Sequence, residues 1–370
     1  MKIVVAPDSF KGNMRSSKVC AIIRESILSE IPAAEVLPIP IADGGEGSVD
    51  AVVEAVGGTI YTLQVCGPLG DPVEAQYGLL PDGTAVMEMA SSSGLELISS
   101  QRLNPMETTT YGVGQLLRHL LESGHTSIVI GIGGSATVDG GVGMAQALGF
   151  RFFDESGSEL LGRGGKILSD ICSVDSLMVV PQLKNSAIRI ACDVINPLSG
   201  SNGAACVFGP QKGATPEMVV QLDAGLENLA KVMSLDEIPG DGAAGGLGYG
   251  LRAFCNAEII SGAELIAETV GLPAALEGAD LLITGEGCTD GQTASGKLCA
   301  VLARMARERG VKTLLLSGAL QGELIPFFDS FDYAFSISSG HASLEECMTH
   351  APGNLDFTVR NIMRLLVRKG

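Results

Sequence analysis

The amino-acid sequence predicts an α/β protein: a parallel-sheet domain of the Rossmann or flavodoxin-like type, interrupted by an inserted second α/β domain with a mixed sheet. Three features of the 370-residue chain support this fold class. The chain opens with strand, loop, helix and strand, changes to alternating segments separated by turns after residue 58, and returns to the first rhythm near residue 255. We therefore predict one α/β domain from residues 1–58 plus 255–370, and the inserted domain from residues 59–254.

Apolar runs that end in Gly or Asp define the strands of the first domain. The chain begins with KIVVAPD, a helical pattern covers residues 16–30, a second strand reads EVLPIPIAD, and another helix starts at Glu46. Beyond residue 255 the strands read ADLLITG, KTLLLSG and DYAFSIS, with a helix from Lys297 between the first two. Strands that alternate with helices predict a parallel sheet, in which ligands collect at the carboxyl ends of the strands.

Alternating segments and turn residues define the start of the inserted domain. TIYTLQV and TAVMEMA are typical of half-buried strands, and the turn signals Pro68-Leu69-Gly70-Asp71 and Pro81-Asp82-Gly83 predict hairpins. A helix at about 112–123, a strand at 127–132, a helix at about 141–148 and a strand ending at Asp193 follow. Hairpins joined to such units predict a mixed sheet.

Composition excludes several classes of protein. With 46% hydrophobic residues the chain can bury a large core, and no apolar run approaches the roughly 18 residues that span a bilayer. The 24 Lys and Arg against 42 Asp and Glu give a net charge of -18, which would repel nucleic acid. The nine Cys contain no C-x-x-C pair and are typical of reduced thiols. We expect a cytoplasmic protein without nucleic-acid or membrane partners, either a monomer or a homodimer.

Four glycine-rich loops at predicted strand ends are the main functional candidates. They read PDSFKG, ADGGEG, GIGGSATVDGG and GEGCTDGQTASGK, at residues 7–12, 42–47, 131–141 and 285–297. Glycine lets backbone N–H groups curl around an anion, and a following helix N-terminus adds partial positive charge. These loops are typical of phosphate binding.

The fourth loop is similar to a Walker A loop but is incomplete. Residues 291–297 satisfy G-x-x-x-x-G-K, yet Leu298 stands where a P-loop carries the Ser or Thr that holds Mg²⁺. The backbone amides of this loop together with Lys297 favour phosphate binding, although the chain is not expected to have a P-loop fold. A turn with a solvated lysine remains the alternative.

The third loop permits a different function. Gly131, Gly133 and Ala136 follow a strand as G-x-G-x-x-A, and Asp154 lies about twenty residues further on, as in a dinucleotide fingerprint. Asp139, however, falls where pyrophosphate would bind to the helix N-terminus. An NAD-dependent oxidoreductase of a small hydroxy acid is therefore an alternative to a phosphate-transfer enzyme.

Carboxylates accompany all four loops, which indicates a cation among the anion-binding groups. The set comprises Asp8, Asp43, Glu46, Asp139, Asp193, Glu286 and Asp290. Mg²⁺ prefers one or two carboxylates plus phosphate oxygens and waters, and a further carboxylate is then available to accept a proton from a hydroxyl. Any one of them could instead cap a helix or turn.

Taken together, these motifs resemble those of the type 1 glycerate kinases. The resemblance rests on APDSFKG, ADGGEG, GIGGSAT-x-DGG, ACDV-x-NPL followed by FGPQKGA, GAAGGLG, and GEG-x-x-D-x-QT-x-x-GK, in this order along the whole chain. It implies ATP-dependent phosphorylation of D-glycerate, with 2-phosphoglycerate as the usual product, and an α/β fold with one domain inserted in another.

The resemblance also implies a set of site residues, which we assign by position. The catalytic candidates are Asp193, Lys11, Asp290 and Asp43. The nucleotide-binding candidates are Gly44, Gly45, Gly133, Gly134, Ser135, Lys212, Gly285, Gly287 and Lys297. The Mg²⁺ candidates are Asp193, Asp290 and Asp139. Asp193 is given the role of base or metal ligand, and Asp290 or Asp43 could exchange roles with it.

Four positions depart from the family pattern. Cys288 replaces an Arg, Val138 an Asn, Ile195 a Thr and Cys299 a Pro. These departures leave open a non-catalytic binding protein derived from a kinase, although retention of the Lys and Asp set favours an enzyme.

Overall fold

The computed structural model describes residues 1–10, 12–41, 48–289, 298–322, 327–338, 340 and 343–367. The chain divides into two compact units. The first unit comprises Met1–Asp43, Glu54–Val56 and Ala263–Gly370, and the second comprises Gly44–Val53 and Gly57–Gly262. Both units are built from helices and strands, as the predicted α/β class requires.

Thirteen strands lie within the described residues. In chain order they are β1 (Lys2–Val5), β2 (Glu35–Pro38), β3 (Thr59–Cys66), β4 (Pro72–Leu79), β5 (Ala85–Glu88), β6 (Ser127–Gly131), β7 (Arg151–Phe153), β8 (Ser173–Asp175), β9 (Ala187–Ala191), β10 (Glu258–Ile260), β11 (Leu281–Thr289), β12 (Lys312–Leu320) and β13 (Tyr333–Ser336).

The same part of the chain contains thirteen α-helices. They are α1 (Ser16–Glu30), α2 (Ser48–Val56), α3 (Ala90–Ser93), α4 (Tyr111–Glu122), α5 (Val142–Leu148), α6 (Ala204–Phe208), α7 (Pro216–Met233), α8 (Ala243–Cys255), α9 (Gly262–Thr269), α10 (Leu272–Leu276), α11 (Leu298–Arg307), α12 (Phe327–Ser330) and α13 (Leu344–Val367). Short 3-10 helices connect several of them.

The first unit is organised around a five-stranded parallel sheet. Its strand order is β13-β12-β11-β1-β2, and every neighbouring pair is parallel. Counted in chain order within this sheet, the order is 2-1-3-4-5, that of flavodoxin-like folds, whose ligand crevice opens between the strands here called β1 and β11. The predicted parallel sheet is confirmed.

Helices cover both faces of this parallel sheet. Leu314 and Leu316 of β12 share a buried cluster with apolar residues of α1 and α13, whereas Leu315 packs with Cys299 and Ala303 of α11. Successive side chains of a strand point to opposite faces, so a strand buried on both faces reads as an unbroken apolar run. This explains the continuous LLL in the β12 sequence.

The second unit contains the predicted mixed sheet. Its strand order is β10-β9-β6-β5-β4-β3, with the first four strands parallel and the last two joined as antiparallel hairpins. Gly67 and Asp71 close the first hairpin turn, and Gly83, at φ 87°, lies in the second. Both predicted hairpins are confirmed. β7 and β8 form a separate two-stranded sheet.

The GAAGGLG segment adopts an unusual conformation at the start of α8. Ala244, Gly245 and Gly246 have left-handed φ values of 53°, 69° and 87°. A Cβ built on Gly245 would lie 1.9 Å from the carbonyl oxygen of Thr137, and the Gly140 N–H donates to the Gly245 carbonyl at 3.1 Å. Glycine is therefore required here so that α8 can approach the loop after β6.

Several elements differ from the expectations. β10 follows the predicted boundary at residue 255 but pairs with β9 of the mixed sheet, so we propose that the insertion extends through β10. β11 continues to Thr289, and the first five residues of the predicted fourth loop are therefore strand. The 18-residue helix α7 was not predicted.

No helix among the described residues is long and apolar enough to cross a membrane.

Candidate active site

The carboxyl ends of four parallel strands meet at one edge of the second unit's sheet. Glu88 at the end of β5 pairs with Gly131 of β6, Gly131 pairs with Ala191 of β9, and Ala191 pairs with Ile260 of β10. The loops that begin after these residues therefore start at the same level. This edge corresponds to the usual ligand-binding position in α/β proteins.

Asp193 lies at this edge, two residues after β9, with its side chain exposed. Its Oδ1 accepts hydrogen bonds from the Ser261 hydroxyl at 3.1 Å and from the Gly262 N–H at 2.8 Å. Gly262 is the first residue of α9, where the backbone N–H groups carry partial positive charge. These contacts orient the Asp193 carboxylate.

The loop after β6 presents backbone at the same edge. Gly133 and Gly134 are exposed, and Gly134 has a φ of 73°. The Gly134 carbonyl accepts from the Leu95 N–H at 2.9 Å, and the Ala136 N–H donates to the Ser93 carbonyl at 2.9 Å. The loop is thus anchored on the segment that follows β5 and leaves its two glycines accessible.

Lys212 and Ser135 form a buried pair behind these glycines. The Lys212 side chain is 1% exposed, and its Nζ lies 2.6 Å from the Ser135 Oγ and 2.7 Å from the Thr137 carbonyl oxygen. Burial lowers the pKa of Lys212 to about 7, and the charge of Asp139 acts in the opposite direction. The lysine predicted to bind nucleotide is therefore enclosed by protein, and the Ser135 hydroxyl is one of its two hydrogen-bond partners.

Asp139 is also fully buried, which argues against its predicted role as an Mg²⁺ ligand. Its carboxylate accepts from the backbone N–H and hydroxyl of Thr110 at 2.8 and 2.9 Å, and from the N–H groups of Gly141 and Gly143 at 3.2 and 3.3 Å. Burial raises the pKa of the Asp139 carboxyl, whereas these hydrogen bonds lower it. Asp139 ties α4 to the start of α5, and Mg²⁺ would have to displace these donors.

Asp8 and Glu286 lie beyond the paired residues of β1 and β11 in the first unit. The Asp8 N–H donates to the Gly285 carbonyl at 2.8 Å, and the Thr289 hydroxyl donates to Glu286 Oε1 at 3.0 Å. Glu286 and Asp8 both raise the pKa of the Cys299 thiol, after the larger effect of burial. Two carboxylates therefore flank the switch point of the parallel sheet.

Gly285 and Gly287, predicted to contact nucleotide, both lie within β11. A Cβ on Gly285 would be 2.1 Å from the Leu316 carbonyl oxygen of β12, so strand packing alone accounts for this glycine. Gly287 also lies close to β12, because a Cβ built on Gly318 of that strand would be 2.3 Å from the Gly287 carbonyl oxygen. The nucleotide role of Gly285 is thus not supported by its position, and that of Gly287 stays a prediction.

Six of the predicted site residues lie outside the described part of the chain. They are Lys11, Asp43, Gly44, Gly45, Asp290 and Lys297.

Comparisons with known proteins identify the family of this chain. Residues 3–367 match the glycerate kinase family. The chain belongs to that family. It is 44% identical to the glycerate kinase of Halalkalibacterium halodurans over 368 residues, covering 97% of each chain. It is 41% identical to the glycerate 2-kinase of Escherichia coli K12 over 374 residues, covering 99% of this chain and 98% of the relative.

A solved structure shows the same fold. A provisionally assigned glycerate kinase 2 from Salmonella typhimurium LT2 superposes with a TM-score of 0.89 at 42% identity, covering 100% of this chain and 99% of that one. The glycerate kinase family thus accounts for the whole length of this chain.

The dinucleotide alternative does not fit the observed loop. A Rossmann fingerprint turns directly from strand into helix, so that the helix N-terminus faces the pyrophosphate. Here β6 ends at Gly131 and α5 begins only at Val142, with the buried Asp139 carboxylate beside the first turn of α5. The NAD-dependent oxidoreductase is therefore discarded.

Several residues that shape this edge were missed by the sequence analysis. Glu88 is 8% exposed, and its Oε1 accepts from the Val49 N–H at the start of α2 at 2.7 Å. Thr108 and Thr110 are fully buried, and the Thr108 hydroxyl donates to the Ala136 carbonyl at 2.8 Å. The sequence carried two signals that could have identified these residues: Glu88 ends an apolar strand, and three consecutive threonines precede helix α4.

The four departures from the family pattern occupy two kinds of environment. Val138 and Cys299 are 0% and 1% exposed and belong to the apolar clusters of their respective units. Cys288 and Ile195 are exposed. The buried pair preserves apolar packing, so only the exposed pair can change contacts with a ligand directly.

Proposed function

We propose that the protein transfers the γ-phosphoryl group of ATP to the 2-hydroxyl of D-glycerate, forming 2-phosphoglycerate and ADP. One observation carries this proposal: the accessible Asp193 carboxylate and the anchored glycine loop at 133–135 start from the same edge of one sheet. Phosphoryl transfer needs these two components, a group that accepts the proton of the attacking hydroxyl and donors that hold anionic oxygens. The family membership established above names the substrate class.

Asp193 is proposed as the catalytic base. The two hydrogen bonds on its Oδ1 fix the direction of the carboxylate, and its exposure leaves it accessible to a substrate hydroxyl. A carboxylate in this position orients the hydroxyl and accepts its proton as the bond to phosphorus forms. A role as metal ligand is the alternative for the same side chain.

The residues outside the described part of the chain keep their proposed roles from the sequence motifs. Lys11 and Lys297 are proposed to neutralise charge on the glycerate carboxylate and the transferred phosphoryl group, and Gly44 and Gly45 to contribute backbone donors. Asp43 and Asp290 are proposed as further catalytic or metal-binding carboxylates.

The described residues are compatible with Mg²⁺ bound together with ATP. No group of three or more His, Cys, Asp or Glu side chains among them is arranged to hold a metal ion by itself. Mg²⁺ usually keeps several waters and takes only one or two carboxylates plus phosphate oxygens, so the exposed Asp193 fits this donor set and the enclosed Asp139 does not. Bound in this way, Mg²⁺ would neutralise charge on the phosphate oxygens.

The proposed activity is tested by ADP release from the purified protein. We expect release to require both ATP and D-glycerate, and to stop when EDTA removes divalent cations. L-glycerate and glycerol serve as controls for stereochemistry and for the carboxylate. ADP release that is insensitive to D-glycerate would contradict the proposal.

Cys288→Arg provides a test of the nucleotide's position. Cys288 is exposed near the end of β11, and an Arg there would supply the charge-assisted donor that the family pattern carries. We expect the KM for ATP to fall by about 2- to 10-fold, with little change in the KM for D-glycerate, because an exposed ion pair contributes modestly. Cys172→Arg, at another exposed cysteine, is the matched control. An unchanged ATP KM would place the nucleotide phosphates away from this strand.

A further inference from the structure

When Lys212 is protonated, its contact with Ser135 fixes the direction of the serine hydroxyl. An ammonium group has only donors, so the Ser135 Oγ must accept the hydrogen bond that joins it to Lys212 at 2.6 Å. A second Lys212 donor is taken by the Thr137 carbonyl at 2.7 Å. In this protonation state, the proton of the Ser135 hydroxyl must point away from the lysine.

With Lys212 protonated, this hydroxyl proton has no acceptor within the part of the chain that the structure describes. Ser135 is only 6% exposed, and no described residue accepts a hydrogen bond from its Oγ. A buried donor without an acceptor is unfavourable, because the group has lost its hydrogen bond to water and gained none in return. Such a donor, next to the exposed Gly133 and Gly134, indicates that a ligand atom completes the arrangement.

The ligand atom should carry negative charge. Among the described residues, Asp139 is the charged group that acts on Lys212, and its charge only partly offsets burial, which has the larger effect on the pKa of the lysine. Burial of the ammonium is unfavourable unless an anion offsets it. An anionic oxygen at the Ser135 hydroxyl would interact favourably with Lys212 through the polarised O–H group.

We propose that Ser135 donates its hydroxyl proton directly to an anionic oxygen of a substrate, and that Lys212 is a positioning residue that acts through Ser135 without touching the ligand. This inference rests on the proposed kinase function and refines it, because the sequence placed Lys212 itself on the nucleotide. The oxygen belongs either to a phosphate of ATP or to the carboxylate of glycerate, and each is tested separately.

Proton uptake on binding is the readout that a merely structural lysine would not give. The pKa of Lys212 is about 7 in the free protein, so roughly one tenth of the lysine is protonated at about pH 8. A bound anion favours the ammonium form and raises this pKa, so binding should take up a fraction of a proton. Affinity should accordingly weaken as the pH rises through and above 7.

The experiment is isothermal titration calorimetry at about pH 8 in two buffers of different ionisation enthalpy. ATP and D-glycerate are titrated separately, so that no turnover occurs, and ATP is then fully ionised because its terminal phosphate titrates near pH 6 to 7. The variants are Lys212→Met, Ser135→Ala and Ser135→Thr, each checked by circular dichroism. Ser186→Ala, whose hydroxyl donates only to the Leu183 carbonyl, is the control.

We expect uptake with one of the two ligands in the wild-type protein and in Ser135→Thr and Ser186→Ala. Uptake should be absent in Lys212→Met and Ser135→Ala, whose affinity for that ligand should fall by about 10-fold or more. The ligand that gives uptake identifies the anion as phosphate or carboxylate. Absence of uptake with both ligands, or equal uptake in folded Ser135→Ala, would overturn the inference.

Glycerate-dependent ADP release is measured on the same wild-type preparation. Normal release without proton uptake would refute only the role given to Ser135 and Lys212. Absence of release would instead refute the proposed function.

Discussion

Asp193→Asn should lower kcat by about 10²- to 10⁴-fold while the protein remains folded. The amide keeps the size of the side chain and can still accept the hydrogen bonds from Ser261 and Gly262 through its oxygen. It cannot take a proton from a hydroxyl, nor can it supply negative charge to Mg²⁺. The effect should therefore appear in turnover, measured by ADP release at saturating ATP and D-glycerate.

Asp154→Asn is the matched control for this substitution. Asp154 likewise accepts hydrogen bonds from a serine hydroxyl and from backbone N–H groups, but in the Ser156–Ser158 turn of the second unit. We expect turnover close to that of the wild-type protein in this control. Near-wild-type turnover in Asp193→Asn, with an unchanged melting temperature, would transfer the role of base to Asp43 or Asp290.

Gly245→Ala should destabilise the fold by about 2 to 5 kcal/mol. The added methyl group would lie 1.9 Å from the Thr137 carbonyl oxygen, and the residue has a left-handed φ of 69°. Overpacking contributes about 1 to 3 kcal/mol and the left-handed backbone about 1 to 2 kcal/mol. Thermal unfolding should show a melting temperature lower by roughly 5 to 15 °C.

Gly157→Ala separates the two contributions to this effect. Gly157 has a φ of 77°, but nothing lies within 4 Å of the added Cβ, so only the backbone strain should be felt. We expect the free energy of unfolding to decrease by about 1 to 2 kcal/mol in this control. Equal decreases in the free energy of unfolding of Gly245→Ala and Gly157→Ala would show that the close packing of α8 against the loop after β6 does not contribute to stability.

The sequence was most informative about strands and loop positions. Continuous apolar runs such as KTLLLSG identified strands of the parallel sheet, and the alternating TIYTLQV identified a hairpin strand, because the period of apolar side chains along a strand depends on how many of its faces are buried. The motif order placed Gly133, Ser135 and Asp193 at strand ends, where the structure shows them.

The sequence was less informative about what each motif residue does. Gly133 is exposed and can contact a ligand, whereas Gly285 allows the backbone of β12 to pack closely against β11. In the sequence, both appear as a glycine in a glycine-rich segment that follows an apolar run. The burial of Asp139 and Lys212 depends on residues from distant elements, such as Thr110. Motif spacing does not record these tertiary contacts.

Two helices show where local rules fail. α7 was missed although Thr215 caps it, Pro216 occupies its first position and Glu217 follows, which together form a clear start signal. α13 contains Pro352 within the helix, a residue that normally indicates a helix end. Packing of Leu355, Val359 and Met363 into the first unit's core stabilises this helix despite the proline.

The ³¹P NMR spectrum of the reaction product tests the central claim most directly. After incubation of the wild-type protein with ATP, MgCl₂ and D-glycerate, we expect a phosphate ester resonance split into a doublet by the single proton on C2, together with the resonances of ADP. Formation of inorganic phosphate and ADP without any glycerate ester would contradict the proposed phosphoryl transfer, and a triplet from an ester on C3 would contradict the assigned hydroxyl.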